Sequence, residues 1–188
     1  MIKLKDGPPD PGLLLQPEYF ARPAHVVARE LVGTVIGRWL ASEEKRLVIT
    51  ETEAYLGPHD LACHSARGRT ARTEIMFGPP GTLYIYLVYG LHRMLNVVAG
   101  LEGIGAAVLI RSAGVVQGPG RLGKELALSM ELNGREACET TGLWFEQGFK
   151  PRRILAAPRI GVDYAGPRWS GRRLRFFVKP QHCPSIGD

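Results

Sequence analysis

The chain has 188 residues, 45% of them hydrophobic, and a formal net charge of +6, because 18 arginines and 6 lysines outnumber 18 acidic residues. This length supplies one well-buried core and is short for two, so we expect a single domain over residues 1–188. No run approaches the roughly 18 apolar residues of a membrane span, and the N-terminus lacks a signal-like apolar core, so we expect a soluble, cytoplasmic protein without a membrane partner. Cys63, Cys138 and Cys183 are odd in number and lack Cys-x-x-Cys spacing, which indicates neither a disulfide framework nor a structural zinc site.

Predicted elements in the first third of the chain begin after a proline-rich stretch. Residues 1–18, with four prolines from residue 8 onward, are expected to be an irregular lead-in. Residues 24–32 have the apolar spacing of a helix that ends at Gly33. Residues 34–41 and 46–56 predict a β-hairpin.

The remainder of the chain reads as strands in quick succession, with few helices. Residues 57–72 form a polar loop, residues 120–130 predict a helix, and residues 161–173 an ordered loop. Further strands are predicted over residues 82–89, 94–99, 106–112, 143–146 and 174–179. Close spacing of strands favours a largely antiparallel sheet, and hence an α+β single domain.

Two carboxylates and an aromatic ring share one face of the predicted strand 46–56. On an ideal strand Glu51, Glu53 and Tyr55 point the same way, because side chains alternate. A carboxylate inside an apolar strand is costly without a partner or a function, so Glu53 is a candidate general base. An ion pair with an arginine such as Arg111, which also lies in an apolar stretch, explains it equally well. Spacing alone does not choose between Glu51 and Glu53.

Three tyrosines lie on and after the predicted strand 82–89. Tyr84 and Tyr86 share a face while Tyr89 has the opposite parity, so all three line one surface only if the chain bends near Gly90. A tyrosine at such a turn could enter a base stack as a wedge, although aromatic residues in strands are more often core.

Two further motifs resemble a metal site and a dinucleotide-binding loop, but the surrounding sequence supports neither. His59 and His64 flank Asp60, but no third metal ligand has recognisable spacing, so His64 is a base contact or an ordinary loop histidine. Residues 118–123 match G-x-G-x-x-G, yet no following strand completes a dinucleotide-binding unit, and Pro119 removes an N–H donor. The same helix N-terminus with Arg121 could instead hold a DNA phosphate.

Arginine clusters elsewhere predict contacts with an anionic partner. The guanidinium pairs with phosphate and stacks on bases, although a GC-rich coding preference explains an arginine excess equally well. Basic residues group around positions 67–72, 152–159 and 168–179, where they could converge into one groove or remain solvated surface. The candidates for DNA phosphate contacts are Arg67, Arg69, Arg121, Arg172 and Arg173.

Several longer motifs occur in one order along nearly the whole chain. They are Glu51-Thr52-Glu53-Ala54-Tyr55-Leu56-Gly57, His64-Ser65, Met76-Phe77, Pro80-Gly81-Thr82-Leu83-Tyr84-Ile85-Tyr86-Leu87-Val88-Tyr89-Gly90, Asn96, Leu109-Ile110-Arg111, Gly118-Pro119-Gly120 and Pro158-Arg159-Ile160-Gly161-Val162. Together they resemble the alkyladenine (3-methylpurine) DNA glycosylase family. Thr73 and Met94 depart from the residues commoner in that family, which bears on substrate range.

The resemblance implies a compact domain built round a central curved, mostly antiparallel sheet flanked by helices. It implies base-excision repair by base flipping and monofunctional hydrolysis of the N-glycosidic bond of alkylated or deaminated purines: 3-methyladenine, 7-methylguanine, hypoxanthine and ethenoadenine. No metal or cofactor is implied; the partner is double-stranded DNA with damaged purines, and the protein is expected to be a monomer at the nucleoid. The alternative is a non-catalytic damaged-DNA-binding protein.

The resemblance also assigns roles to single residues. Glu53 corresponds to the general base, and Arg111 and the carbonyl of Ile160 to groups that help hold the attacking water. The pocket walls correspond to Tyr55, His64 and Tyr86, with Asn96 crowding the 2-amino group of guanine and Tyr89 as the intercalating wedge.

Overall fold

The computed structural model describes residues 9–41 and 43–179, and its centre is a curved antiparallel sheet. The strands in these residues are β1 (Val35–Trp39), β2 (Glu44–Tyr55), β3 (Leu83–Val88), β4 (His92–Ala99), β5 (Ala106–Ala113), β6 (Leu143–Glu146), β7 (Leu155–Ala157) and β8 (Arg175–Phe177). The α-helices are α1 (Pro17–Phe20), α2 (Ala24–Leu31), α3 (Pro119–Glu125) and α4 (Pro167–Ser170). The α+β fold class is confirmed.

Strand β2 is the longest strand and connects the two parts of the sheet. The order is β3-β4-β5-β2-β1-β6, and β8 pairs with both β2 and β7. The first half of β2 pairs with β1, whereas Ile49 to Tyr55 pair with β5. Register shifts on either side of Glu51 interrupt the β2–β5 ladder, and such irregularities bend a strand and increase its twist. The second half of β2 therefore lies between β5 and β8, where the two glutamates occur.

Helix α2 covers the inner face of the sheet with one apolar stripe. Its buried residues Ala24, Val27, Ala28 and Leu31 recur at helical spacing and belong to the main hydrophobic core. The helix ends before Gly33, which has a φ of 100° and whose added Cβ would lie 2.4 Å from the carbonyl oxygen of Phe149. The predicted helix over residues 24–32 is confirmed, and so is the hairpin of β1 and β2.

The strands predicted near residues 82–112 form the β3–β4–β5 meander, and residues 143–146 form β6 as expected. The helix expected over residues 120–130 is wrong in length, since α3 ends at Glu125. Ala127 adopts a φ of 43°, and the amide of Leu128 donates to the carbonyl of Gly123, so the chain turns out of the helix. This local turn has no glycine or proline to signal it.

Other differences concern short elements. Helix α1 begins at Pro17, inside the expected lead-in, and the loop expected over residues 161–173 contains α4. Strand β7 has three residues and no periodicity that would predict it. Residues 1–8 of the lead-in and Cys183 lie outside the described residues, while Cys63 and Cys138 are free thiols. Among the described residues, no helix has the length and apolar character to cross a bilayer.

Candidate active site

A cavity of about 470 Å³ opens on the face of the sheet formed by the end of β2 and by β3, β4 and β5. Its volume lies within the roughly 300–1,000 Å³ usual for small-molecule pockets. The segment after β2 and the segment around residue 160 close its sides. The aromatic lining consists of Tyr55, His64, Tyr84, Tyr86, Tyr89 and Tyr164, and the other polar or charged side chains are Arg72, Asn96 and Arg111.

The Glu53 carboxylate lies immediately behind this wall. Its side chain has no solvent exposure, and Oε2 accepts a hydrogen bond from the Tyr55 hydroxyl at 2.9 Å. Oε1 accepts from the backbone N–H of Ile160 at 2.8 Å and lies 3.3 Å from Nη1 of Arg111. All three partners line the cavity. The carboxylate is therefore closed to bulk solvent, contacted on both oxygens, and adjacent to the cavity through its three partners.

The environment of Glu53 combines opposing influences on its pKa. Burial, the largest influence, raises the pKa of Glu53 above its ordinary value of 4.5. The charge of Arg111 and the hydrogen bonds from Ile160 and Tyr55 act in the opposite direction. A carboxylate with a raised pKa is a stronger base once ionised, which suits proton abstraction near neutral pH.

Glu51 has a different setting although it lies two residues away on the same strand. Its carboxylate contacts Nη1 of Arg175 at 2.7 Å and the hydroxyl of Ser112 at 2.9 Å, and lies 3.4 Å from Nε of Arg111. Its side chain is 17% exposed, and it does not line the cavity. Arg111 thus lies between two carboxylates. Glu53 contacts three residues of the cavity lining, whereas Glu51 contacts only Arg111 among them.

His64 belongs to an aromatic cluster at one side of the cavity. Its Nδ1 lies 2.9 Å from the hydroxyl of Tyr84, and its ring packs edge-on against Tyr86 with centroids 4.6 Å apart. Burial and the nearby charges of Arg72 and Arg67 lower the pKa of His64 from 6.5 to about 4. The ring is therefore neutral near pH 7.

The floor and the rim of the cavity come from the β3–β4 hairpin. Asn96 is buried on β4, and its side-chain amide donates to the carbonyl of Tyr84 at 3.0 Å. At the turn, Tyr89 and Gly90 have φ values of 52° and 69°, and the Tyr89 side chain is 91% exposed. The bend expected near Gly90 is present, and it brings Tyr84, Tyr86 and Tyr89 to one cavity.

Comparison of the sequence with known proteins identifies the family of the chain. A family model described as "Methylpurine-DNA glycosylase (MPG)" matches residues 18–117 and 112–182. The chain belongs to the methylpurine-DNA glycosylase family. A relative from Myxococcus xanthus is 44% identical over 184 residues, covering 92% of this chain and 94% of the relative. Relatives from Methanocella arvoryzae (38% identity; 92% and 96% covered) and Legionella pneumophila strain Paris (43%; 88% and 94%) are similar. All three carry the name "Putative 3-methyladenine DNA glycosylase".

The residues selected by resemblance to this glycosylase family converge in space. Those that line the cavity are Tyr55, His64, Tyr86, Tyr89, Asn96, Arg111 and Ile160. Glu53 contacts three residues of the lining without being exposed to it. Residues from four strands, the β3–β4 turn and the segments after β2 and β7 thus meet at one place, while the role of each residue stays a prediction.

The five arginines predicted to contact phosphate are all exposed, but they are not equally free. Arg69 forms an ion pair with Glu74 at 2.6 Å, and Arg173 donates twice to the carbonyl of Ala156. Arg172 stacks on Trp169 at 4.9 Å. Arg67 and Arg121 make no ion pair within residues 9–41 and 43–179.

Arg159 belongs to a basic run for which a groove and a solvated surface were the two alternatives, and it fits neither. It is 5% exposed and forms a bidentate ion pair with Asp60 inside the protein. Arg72, Tyr84 and Tyr164 line the cavity as well, although the family resemblance assigns them no role. The position of Tyr84 two residues before Tyr86 on a strand was the one available signal. Within the described residues, no group of three or more His, Cys, Asp or Glu side chains is placed to hold a metal ion.

Proposed function

We propose that this protein is a monofunctional DNA glycosylase that extrudes a damaged purine from duplex DNA into the cavity and hydrolyses its N-glycosidic bond. The candidate substrates are alkylated and deaminated purines, namely 3-methyladenine, 7-methylguanine, hypoxanthine and ethenoadenine. One observation carries the proposal: the fully buried Glu53 carboxylate lies behind an aromatic cavity, beside Arg111. Family membership supports the same reaction class.

DNA binding would begin with phosphate contacts from exposed arginines such as Arg67 and Arg121. Tyr89, almost fully exposed at the tip of the β3–β4 hairpin, has the position for entering the stack where a nucleotide leaves it. Extrusion costs a few kcal/mol, and less for a base that already pairs badly. Damaged bases would therefore be extruded more readily than normal ones.

Inside the cavity, the aromatic rings of Tyr55 and Tyr86 would hold the base by stacking, and electron-rich faces attract a cationic alkylpurine. The neutral ring of His64 adds no positive charge at this wall, which is compatible with such a base. Asn96 is fixed by its bond to the Tyr84 carbonyl, so it presents a rigid surface to the edge of the base.

Hydrolysis requires an activated water and stabilisation of a developing positive charge on the sugar. A water in the cavity would reach Glu53 by displacing one of its present partners. The ionised carboxylate would then accept a proton from that water, and its negative charge would stabilise an oxocarbenium-like transition state. Arg111, at 3.3 Å, keeps the carboxylate ionised and oriented. A neutral lesion such as hypoxanthine also needs a proton on the departing base, so an acid step accompanies its release.

The test is incubation with duplex DNA that carries one hypoxanthine or one ethenoadenine, with EDTA present, followed by alkali. We expect strand cleavage only after alkali, which reveals abasic sites made without a metal ion. DNA with 7-methylguanine, assayed by release of free base, extends the test to cationic substrates. Tight binding to all of these lesions without release of any base would contradict the proposal and support a non-catalytic damaged-DNA-binding protein.

A further inference from the structure

A buried ion pair connects the two segments that close the sides of the cavity. Asp60, in the loop after β2, and Arg159, after β7, both have side chains with no solvent exposure. Arg159 donates from Nη1 to Oδ2 at 2.5 Å and from Nη2 to Oδ1 at 2.8 Å. A bidentate arginine–carboxylate pair fixes both distance and orientation, which a single hydrogen bond does not.

Both members of the pair also hold the backbone around Tyr55. Asp60 accepts hydrogen bonds from the backbone N–H groups of Leu56 and Ala62, each at 3.1 Å. Arg159 donates from Nη1 to the carbonyl of Ala54 at 2.9 Å, and its guanidinium lies 4.8 Å from the centre of the Tyr55 ring. The residues before and after Tyr55 and the ring itself are therefore held by one ion pair.

Glu53 accepts two hydrogen bonds from uncharged donors, and the Asp60–Arg159 pair adjoins both of them. Ile160 directly follows Arg159 in the chain, and its N–H donates to Glu53 at 2.8 Å. The Tyr55 hydroxyl supplies the second donor at 2.9 Å. Both neutral hydrogen bonds on the carboxylate thus come from residues that the Asp60–Arg159 pair holds in place.

Stability alone is a weak explanation for this pair. A buried ion pair loses so much hydration that apolar residues of similar volume often stabilise a protein equally well. What an ion pair adds is defined geometry. We propose that Asp60 and Arg159 are positioning residues of the glycosylase reaction, which hold the Tyr55 hydroxyl and the Ile160 N–H on the Glu53 carboxylate. This inference rests on the proposed function.

The charged and titratable groups around Glu53 determine how the proposal can be tested. Glu51 and Tyr55 approach from β2, Arg111 from β5, Tyr86 from β3, and Arg159 from the segment after β7. A change at Arg159 that removes its charge would shift the pKa of Glu53 by electrostatics alone. Lysine keeps the charge but has no planar fork, so Arg159→Lys separates positioning from charge.

The chain offers a matched control for this substitution. On the surface, Arg22 pairs with Glu30 at 2.7 Å and lies 4.4 Å from the centre of the Tyr19 ring. Arg22 thus has the same kinds of partner as Arg159, a carboxylate and a tyrosine ring, but it lies away from the cavity. Arg22→Lys is therefore the matched control for Arg159→Lys.

The experiment measures single-turnover excision of hypoxanthine by the wild type, Arg159→Lys and Arg22→Lys across a range of pH, each well below its melting temperature. Binding of lesion DNA is measured in parallel. We expect Arg159→Lys to lower the rate by on the order of tenfold, because small misplacements of catalytic groups are costly. Lesion binding should change little. In Arg159→Lys the acid limb of the excision rate plotted against pH should move to higher pH, because Glu53 loses hydrogen-bond donors that lower its pKa. Arg22→Lys should match the wild type.

A second readout does not depend on activity. NMR titration of the Glu53 carboxyl carbon should give a higher pKa in Arg159→Lys than in the wild type. If Arg159→Lys does not fold, Asp60→Asn, which keeps one acceptor oxygen, replaces it in both measurements. An unchanged acid limb together with an unchanged Glu53 titration would overturn the inference, whatever the rate. A wild type without excision activity would contradict the proposed function, and the titration would still decide whether the pair positions the two donors.

Discussion

Arg111 contacts two carboxylates, and the difference between them favours Glu53 over Glu51 as the proposed general base. Glu53 is fully buried and contacts three residues of the cavity lining, whereas Glu51 is partly exposed and paired with Arg175 and Ser112. Both glutamates lie on the ideal-strand face, so their spacing in the sequence did not separate them. The separation comes from the irregular register around Glu51 and from partners on β5 and β8, which are distant in the chain.

These settings predict different effects of removing each charge. Glu53→Gln should retain binding of lesion DNA and lower excision on the order of 100-fold or more, because it removes the proton acceptor. Glu51→Gln should mainly lower the melting temperature, because it weakens contacts with Arg111 and Arg175. Single-turnover excision and thermal unfolding of both variants check this. A larger loss of excision rate in Glu51→Gln than in Glu53→Gln would reverse the assignment.

The partly buried setting of His64, beside two arginines, predicts a neutral ring in the folded protein over the whole physiological pH range. With a pKa of about 4 against 6.5 in the unfolded chain, the folded state binds this proton less readily. The stability that the neutral ring supports is fully present above pH 6.5 and decreases as the pH falls through 6.5 toward 4. NMR should show no titration of the His64 ring between pH 8 and pH 5.5. As the pH falls from 6.5 toward 4, the melting temperature of His64→Gln should decrease less steeply than that of the wild type.

At the scale of elements, the packing of α3 explains a motif that resembles a dinucleotide-binding loop. An added Cβ at Gly123 would lie 2.1 Å from the backbone oxygen of Arg93, so this glycine lets α3 approach β4 closely. At Gly120 the nearest atom would be a side-chain atom of His92 at 3.1 Å. Close contact with β4 thus explains Gly123, while Gly118 has no close neighbour and instead adopts a φ of 93°.

This packing predicts opposite effects for two alanine substitutions on one helix. Gly123→Ala should lower the free energy of unfolding by about 1–3 kcal/mol, because the helix must move from β4. Gly120→Ala should be neutral or stabilise by roughly 0.5 kcal/mol, since alanine restricts the unfolded chain and the exposed His92 can move. Denaturant unfolding measures both, and equal effects would mean that close approach of α3 does not require Gly123.

The β3–β4 hairpin carries Tyr89 in a conformation that favours glycine. A side chain at φ 52° costs about 1 kcal/mol, so Tyr89→Gly should leave stability within about 1 kcal/mol of the wild type. Excision from duplex DNA should fall about tenfold or more, and less for a lesion in a mismatched site, where less stacking is lost. Leu101→Ala, an exposed apolar residue beyond the other end of β4, is the control. Full duplex activity in Tyr89→Gly would remove Tyr89 from the wedge role.

Sequence patterns predicted the elements whose periodicity reflects burial, and failed where contacts between distant segments decide. The apolar stripe of α2 follows from facing one core. The end of α3 at Glu125 depends on a local turn without glycine or proline. Asp60 and Arg159 are 99 residues apart, and charged residues are rarely buried, so no local pattern indicates that they pair.

At the scale of the whole molecule, the net charge of +6 indicates that non-specific DNA binding depends strongly on salt. When the logarithm of the DNA-binding constant is plotted against the logarithm of the salt concentration, each phosphate neutralised by a lysine or arginine contributes about −0.9 to the slope. The exposed arginines differ in how readily they could do this, because some already have partners within the protein. Arg69 is engaged by Glu74 and Arg173 by the Ala156 carbonyl, whereas Arg67 and Arg121 form no ion pair in the described ranges.

We therefore expect Arg67→Gln and Arg121→Gln each to reduce the salt slope by about 1 and to weaken binding to damaged and undamaged duplexes equally. Arg69→Gln should have a smaller effect, because forming a phosphate contact there requires breaking its ion pair with Glu74. Arg22→Gln, in a surface ion pair of the same kind, is the control. Fluorescence anisotropy with an undamaged duplex at several salt concentrations gives the slopes. Slopes that stay at the wild-type value in both Arg67→Gln and Arg121→Gln would place the phosphate contacts on other arginines.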